Sequence, residues 1–592
     1  MGSSEILSFV AIVATGPLPG EDAVVEAAGV RRGGERELAR FAQLASAGAL
    51  PIAFKKLTGL DEAPLAGRPA PGKVLERLAH FLGSGTVIVH DAPALAGFMA
   101  SAGLAAPGRV LDSRLLARVV RPEATDYSLA ALARLLGLGE PKVHRALELA
   151  RLTAQLWDRL LAELEALPAP VLEALQRVAQ AAQCPLAGHI GEAANRKAGF
   201  ELSDERGSRF AEALKDHRDL FARAQRYELP EPGEAPIDTD RICGMFTPRG
   251  AIGRNLPGYE QRDEQVEMVR EVCAALNEGR HLMFEAGTGT GKSMAYLLPA
   301  IAWARQNKDK VVVSTNTKNL QEQLYYEDLP FLRELLGGRF EAALLKGRRN
   351  YLCVRRLLHL VRYFDHELSS AAEMTALLPL VVWASRTETG DLAECTGLLM
   401  DESAPVLVPR VTSGSDECAA RSCRARSQCF VRRARTLAQL ADLVVVNHAL
   451  LFAEVGMDQP FLPLGRCLVF DEAHNVEDVA TEALAVTADA LSFFRVTNRL
   501  WRERRDGSGS GLIATVIGEA QRHLPQQGQK KLLRLAQAAI ARLGNLVEAT
   551  RKCFNTLAEP FESVPAYEDK LLLRQCYPPV GLQGPTGEAA QD

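Results

Sequence analysis

The stretch Gly287-Thr288-Gly289-Thr290-Gly291-Lys292-Ser293 decides how this chain is read. It follows an apolar run, His281-Leu-Met-Phe-Glu-Ala286, whose pattern predicts a buried strand entering a tight turn. It precedes Met294-Ala-Tyr-Leu-Leu298, which predicts the first turns of a helix. Strand, glycine turn and helix N-terminus together make a phosphate cradle. Glycine lets successive backbone N–H groups converge on oxyanions, and the helix end adds a partial positive charge. In such a cradle Lys292 reaches the β- and γ-phosphates, and the Ser293 hydroxyl holds Mg²⁺. The strict pattern G-x-x-x-x-G-K-[ST] has glycine where this chain has Ala286. A glycine-rich turn with an incidental lysine is the rival reading, and it leaves the flanking strand and helix unexplained.

A phosphate loop alone binds; turnover needs a second, acidic site. Cys467-Leu-Val-Phe470 reads as another short apolar strand, and it ends in Asp471-Glu472-Ala473-His474. An acidic pair at a strand tip can face a phosphate loop across a parallel sheet. Asp471 then holds the Mg²⁺ shell, and Glu472 orients or deprotonates the attacking water. Asp-Glu pairs also occur simply because helix N-termini favour negative charge, so the pair gains meaning from the loop beside it.

With 592 residues, the chain has room for roughly three or four domains of ~150 residues. Hydrophobic content of 47% and charged content of 24% suit a globular protein and argue against a disordered one. No apolar stretch reaches the ~20 residues of a membrane helix, and the N-terminus lacks a basic-then-apolar signal. The expectation is a cytoplasmic protein without a membrane partner. A formal charge of −4 means that any nucleic-acid surface must be a local patch. Eleven cysteines without a secretory signal point to metal or free thiols rather than disulfides.

Three of those cysteines cluster as Cys418-x4-Cys423-x5-Cys429, and Cys353 lies upstream. Three close thiols and one distant thiol suit a tetrahedral four-sulfur site, for zinc or for an iron–sulfur cluster. Arg421, Arg424, Arg426, Arg432, Arg433 and Arg435 surround the triplet, while Lys346, Arg348, Arg349, Arg355 and Arg356 flank Cys353. Tied to one metal knot, these runs would form an anion-binding surface suited to a DNA backbone. Cys395 and the other cysteines lack comparable spacing and read as core or surface thiols.

Phosphate loop, cysteines and DEAH, in that order, resemble the DinG/XPD family of superfamily 2 DNA helicases. Tyr259-Glu-Gln-Arg262-Asp-Glu-Gln265 resembles the family's adenine-reading motif. Val311-Val-Val-Ser-Thr315-Asn-Thr317 resembles the strand and loop that touch single-stranded DNA, and Ala441-Asp-Leu-Val-Val-Val-Asn447-His448 the segment before the DEAH strand. The resemblance covers about Met245 to the end. It implies that Arg262 and Gln265 hold adenine; Gly287, Thr288, Gly289, Thr290, Gly291 and Lys292 hold the phosphates of ATP; and Ser293 and Asp471 hold Mg²⁺. Glu472 would position water, and His474 would couple the nucleotide site to DNA. It also tips the metal to a 4Fe–4S cluster on Cys353, Cys418, Cys423 and Cys429.

Residues 5 to about 160 alternate strands and helices: Ile6–Val13 and Gly85–His90 as strands, Tyr127–Gly137 as a helix. The region resembles a DnaQ-type 3′→5′ exonuclease, which places two metal ions on four carboxylates. Where that family carries the acids, this chain has Ala11, Val13, Leu95 and Leu149. His144 fits the family's general base. The expectation is a fold kept without its chemistry, with Asp91 and Glu148, neighbours of two lost positions, aimed off the site.

The resemblances imply an α/β chain: an RNase H-like exonuclease fold (1–165), a helical region and linker (166–244), then a RecA-like P-loop motor lobe (245–345 and 436–480). An inserted 4Fe–4S domain (346–435) and an incomplete helical arch domain (481–592) complete it. Glu228–Pro236 reads as a Pro-rich acidic linker and Arg505–Gly511 as a flexible loop. Leu532, Leu535, Ala539, Leu543 and Leu546 mark an amphipathic helix. No Q-x-x-G-R-x-x-R segment follows the DEAH. The family's second RecA-like lobe is therefore expected to be absent, through truncation, a split gene or an incomplete gene model, or supplied by a separate chain. The leading expectation is an ATP-dependent 5′→3′ helicase portion acting on single-stranded or forked DNA, with weak or no unwinding alone. A non-catalytic DNA- or partner-binding protein with a relic nucleotide site is the alternative, and an active exonuclease the remaining one.

Overall fold

A computed structural model describes residues 6–558, apart from short stretches at 106–107, 142, 198–207, 229, 288, 339, 415–416, 456–461, 464, 486–488 and 505–507. Two units emerge: residues 1–229, 345–362 and 370–440 form one, and 230–344, 363–369 and 441–592 the other.

In the first unit, the strand expected near the N-terminus forms as β1 (Ile6–Ala14), flanked by β2 (Val24–Gly33) and β3 (Arg36–Leu44). β4 (Thr86–Val89) and β5 (Arg109–Asp112) follow. The order is β3-β2-β1-β4-β5, with β1, β2 and β3 antiparallel and β4 and β5 parallel to β1. That mixed order is the RNase H-like sheet. The helix Leu129–Leu135 lies inside the span that its spacing predicts. The β2–β3 hairpin escaped the sequence reading. Arg36–Leu44 is rich in helix formers, and pairing with β2 overrides that local preference.

The cysteine-bearing segments belong to this same unit. The helix Ala371–Arg386 packs on Ala169–Ala181 and on Ser113–Val120. Around that seam Arg118 donates to the Gly397 carbonyl (2.7 Å) and pairs with Asp401 (2.8 Å). The Gly397 N–H donates to the Pro122 carbonyl, and Arg386 to that of Val120.

The second unit is a parallel sheet ordered β7-β8-β6-β9: β6 (Val311–Thr315), β7 (Ala342–Leu344), β8 (Leu443–Asn447) and β9 (Cys467–Phe470). Val311, Val312 and Val313 are fully buried, as central parallel strands require. The expected strand at 281–286 does not form. A strand needs a neighbour's N–H and C=O groups, and no described residue of this unit offers them there; Phe284 reaches the core while Met283 is 97% exposed. β9 ends the sheet, with Leu468 and Phe470 partly exposed.

Two connecting stretches show more order than their composition implies. The 228–236 stretch spans the boundary between the units at 229/230, and its part beyond 230 is tied down within the second unit. Gly233 donates to the Asn307 carbonyl and Ala235 to its side chain, and Glu234 pairs with Arg466. Within the 505–511 loop, Gly509 and Ser510 form a two-residue ladder with Glu503 and Arg502, and 505–507 lie outside the described residues. The amphipathic helix near the end runs from Gln526 to Ala558.

Candidate functional site

The helix Lys292–Asn307 opens at Gly291, whose φ of +77° is left-handed backbone. Gly289 has φ +80°. Both angles favour glycine, and no side chain caps the helix end, so its first N–H groups suit an anion. The Thr290 hydroxyl bonds back to the Gly287 carbonyl at 3.0 Å and tightens the loop. Thr288 lies outside the described residues.

Gln265 is buried and donates its amide to the Gly291 carbonyl at 2.9 Å, so a side chain at position 291 would strike it. The Tyr259 hydroxyl lies 3.4 Å from the Gln265 Oε1, so the side chain links the 259–265 stretch to the loop. Arg262 stands just before the helix Asp263–Glu278, with its guanidinium beside Gly289. The cradle is thus shaped by its own missing side chains.

Lys292 and Glu472 meet at 3.2 Å, joining the loop to the DEAH strand tip. The Asp471 N–H donates to the Ser314 carbonyl at 2.8 Å, anchoring that tip to β6. Glu472 has φ +55°, strained for a non-glycine residue, and such strain gathers at working sites. Burial, then Glu472, raises the Asp471 carboxyl above its ordinary value; Lys292 and Tyr296 oppose the rise. Two carboxylates sharing one lysine are a donor set suited to a hard divalent cation. His474 is exposed, its Nδ1 3.4 Å from Glu472 and its Nε2 2.8 Å from the Asn475 amide.

The four cysteines of the sequence pattern lie in the first unit, and each is partly exposed and free of disulfides. Burial raises the Cys429 thiol, and Cys353, Cys418 and Cys423 push the same way, so the other three sulfurs bear on it. Among the described residues, no three His, Cys, Asp or Glu side chains are gathered closely enough to hold a metal ion as they stand. Cys395 is fully buried, its thiol pushed up to about 12, as a core residue. The basic flank is less available than its composition implies. Lys346 is buried against Asp391, and Arg356 is taken up by Glu417 and the Arg410 carbonyl. Arg421, Arg424 and Arg426 remain exposed.

In the exonuclease-like sheet, Ala11, Val13 and Leu95 are buried in apolar clusters, and Leu149 packs against two of them. Asp91 is committed to capping the helix Ala92–Ser101 and to Arg114 at 2.8 Å, and Glu148 is exposed. The His144 backbone N–H donates to Leu57.

Sequence reasoning missed three groups near the nucleotide site. Asp328 lies beside Ser293, Tyr296 is buried beside Asp471, and His448 bonds Ser314 at 2.7 Å. His448 stands in a quoted segment, but nothing in its spacing revealed the contact. Asp328 precedes Leu329-Pro330, which reads only as helix punctuation.

Two families match the chain: DEAD/DEAH box helicase over residues 266–361 and Exonuclease over 14–157. The ATP-dependent DNA helicase YoaA of Haemophilus influenzae is 32% identical over 358 residues, 56% of this chain and 54% of that protein. Over these matched stretches the chain is similar in sequence to DinG and YoaA helicases. The 3′-5′ exonuclease DinG of Bacillus subtilis is 28% identical over 77% of this chain and 48% of its own length. The ATP-dependent helicase DinG of Mycobacterium tuberculosis is 40% identical over 41% of this chain and 39% of its own length. The chain thus spans about half the length, or less, of these relatives. No described helix is long and apolar enough to cross a membrane.

Proposed function

We propose that this chain is the ATP- and DNA-binding portion of a 5′→3′ DNA helicase of the DinG/XPD type. The observation that carries the reading is the 3.2 Å meeting of Lys292 with Glu472, which brings phosphate loop and DEAH tip into one site. Arg262 would lie against the nucleotide, with Gln265 bracing the loop. Gly287, Thr288, Gly289, Thr290 and Gly291 would offer backbone N–H groups to the phosphates, with Lys292 released from Glu472 to bind them. Ser293 and Asp471 would hold Mg²⁺, which supplies charge neutralisation at the phosphates. Glu472, freed from Lys292, would accept a proton from water, and His474 would pass the site's state to bound DNA.

Cys353, Cys418, Cys423 and Cys429, all in the first unit and free of disulfides, are the four-thiol donor set that would hold a 4Fe–4S cluster. The exposed Arg421, Arg424 and Arg426 would lie along DNA phosphates, single-stranded or forked. The exonuclease-like domain would act without hydrolysis, because hydrocarbon occupies the positions that should neutralise two metal ions. A separate chain carrying a second RecA-like lobe would be the partner of this portion.

The test is ATP turnover with and without single-stranded DNA. DNA-stimulated turnover that disappears in Lys292→Ala supports the motor. Nucleotide binding without turnover, in the presence of a supplied second lobe, favours a binding protein with a relic site.

A further inference from the structure

Asp328 is a carboxylate that the roles above leave unused. It closes a π-helical segment, Leu324–Asp328, between the helices Lys318–Gln323 and Leu329–Leu335. The segment packs against the helix Lys292–Asn307, which the phosphate loop opens. A π-helical turn shifts the side chains after it around the helix axis, and such turns recur at functional sites. Here the shift sets the Asp328 carboxyl beside the Ser293 hydroxyl, within electrostatic reach of Asp471. Asp328 is half-buried. Its Oδ2 is buried and meets no hydrogen-bond partner among the described residues.

A serine hydroxyl has one hydrogen and two lone pairs, and only the lone pairs can face a cation. A carboxylate on the side away from the cation takes the hydrogen and turns the oxygen outward. We infer that Asp328 is a positioning residue for the metal site, accepting the Ser293 Oγ–H so that the hydroxyl oxygen faces the divalent ion carried in with the nucleotide. The inference rests on the nucleotide-site reading above. Groups that orient a metal ligand in this way change metal affinity by about 10- to 100-fold when altered. Asp328→Asn keeps the shape and exchanges part of the accepting capacity for donation, leaving Ser293 without its fixed orientation.

The experiment uses the full chain and a fluorescent ADP analogue, with Mg²⁺ titrated and, separately, with chelator present. Asp328→Asn is expected to raise the Mg²⁺ concentration needed for tight binding by about tenfold or more. Affinity in chelator should match the wild type, which also shows that the variant is folded. In the Ser293→Ala background, Asp328→Asn should add nothing further, because it acts through that hydroxyl. Wild-type metal dependence in Asp328→Asn, an equal loss in chelator, or a fully additive loss in the double variant would each overturn the inference. A wild-type chain that binds no nucleotide under either condition would remove the nucleotide-site reading, and this inference with it.

Discussion

The proposed mechanism gives Glu472 two jobs that cannot be done at once. Without nucleotide it neutralises Lys292; with nucleotide it must be free to take a proton. Glu472→Gln removes the base and leaves the loop, so nucleotide affinity should persist while turnover falls by about 10²- to 10⁴-fold. Equilibrium binding and a phosphate-release assay on one preparation separate the two. A residue far from this site gives a pH prediction. The His90 ring meets the Tyr127 carbonyl at 2.8 Å and the Ser113 hydroxyl at 2.9 Å. Burial, joined by the nearby Arg114 charge, lowers its folded-state pKa below the ordinary 6.5. As pH falls through 6.5 the unfolded chain takes up that proton first, so the folded state loses stability. Denaturant midpoints measured above and below that pH should show the decline in the wild type, and a smaller one in His90→Gln.

At the scale of elements, the loop-to-helix junction depends on glycine geometry. Gly291→Ala would place a methyl group on left-handed backbone and against the Gln265 amide. A loss of about 1–2 kcal/mol in stability is expected, with weaker nucleotide binding, both measurable by melting with and without nucleotide. This junction was legible because glycine, lysine and serine at fixed spacing have few other uses. The strand before it was less legible: 281–286 has a strand's residues, but pairing depends on a neighbour that local sequence does not specify. The basic flank of Cys353 shows the same limit. Lys346 reads as solvent-facing from composition, yet its partner Asp391 lies far along the chain and draws it inside. Lys346→Met should cost about 3–5 kcal/mol by leaving Asp391 buried and unpaired, and Lys346→Met with Asp391→Leu should recover much of it.

For the molecule as a whole, the exonuclease-like sheet and the cysteine segments share a unit, and that could not be read from motifs separated by some two hundred residues. Motifs report chemistry, whereas the seam is built from ordinary residues such as Arg118, Thr396 and Gly397. A methyl group at Gly397 would approach the Arg118 carbonyl oxygen within 2.7 Å. Gly397→Ala should therefore destabilise the unit by about 1–3 kcal/mol, visible as a lower melting temperature. The lost carboxylates were plain from sequence, and the structure adds that apolar packing fills their places. The measurement that bears most directly on the central claim is calorimetric titration of the full chain with ATP and Mg²⁺. The account predicts saturable uptake near one nucleotide per chain, abolished or greatly weakened in Lys292→Ala. Well-folded wild-type protein that takes up no nucleotide, or an unaltered Lys292→Ala isotherm, would contradict it.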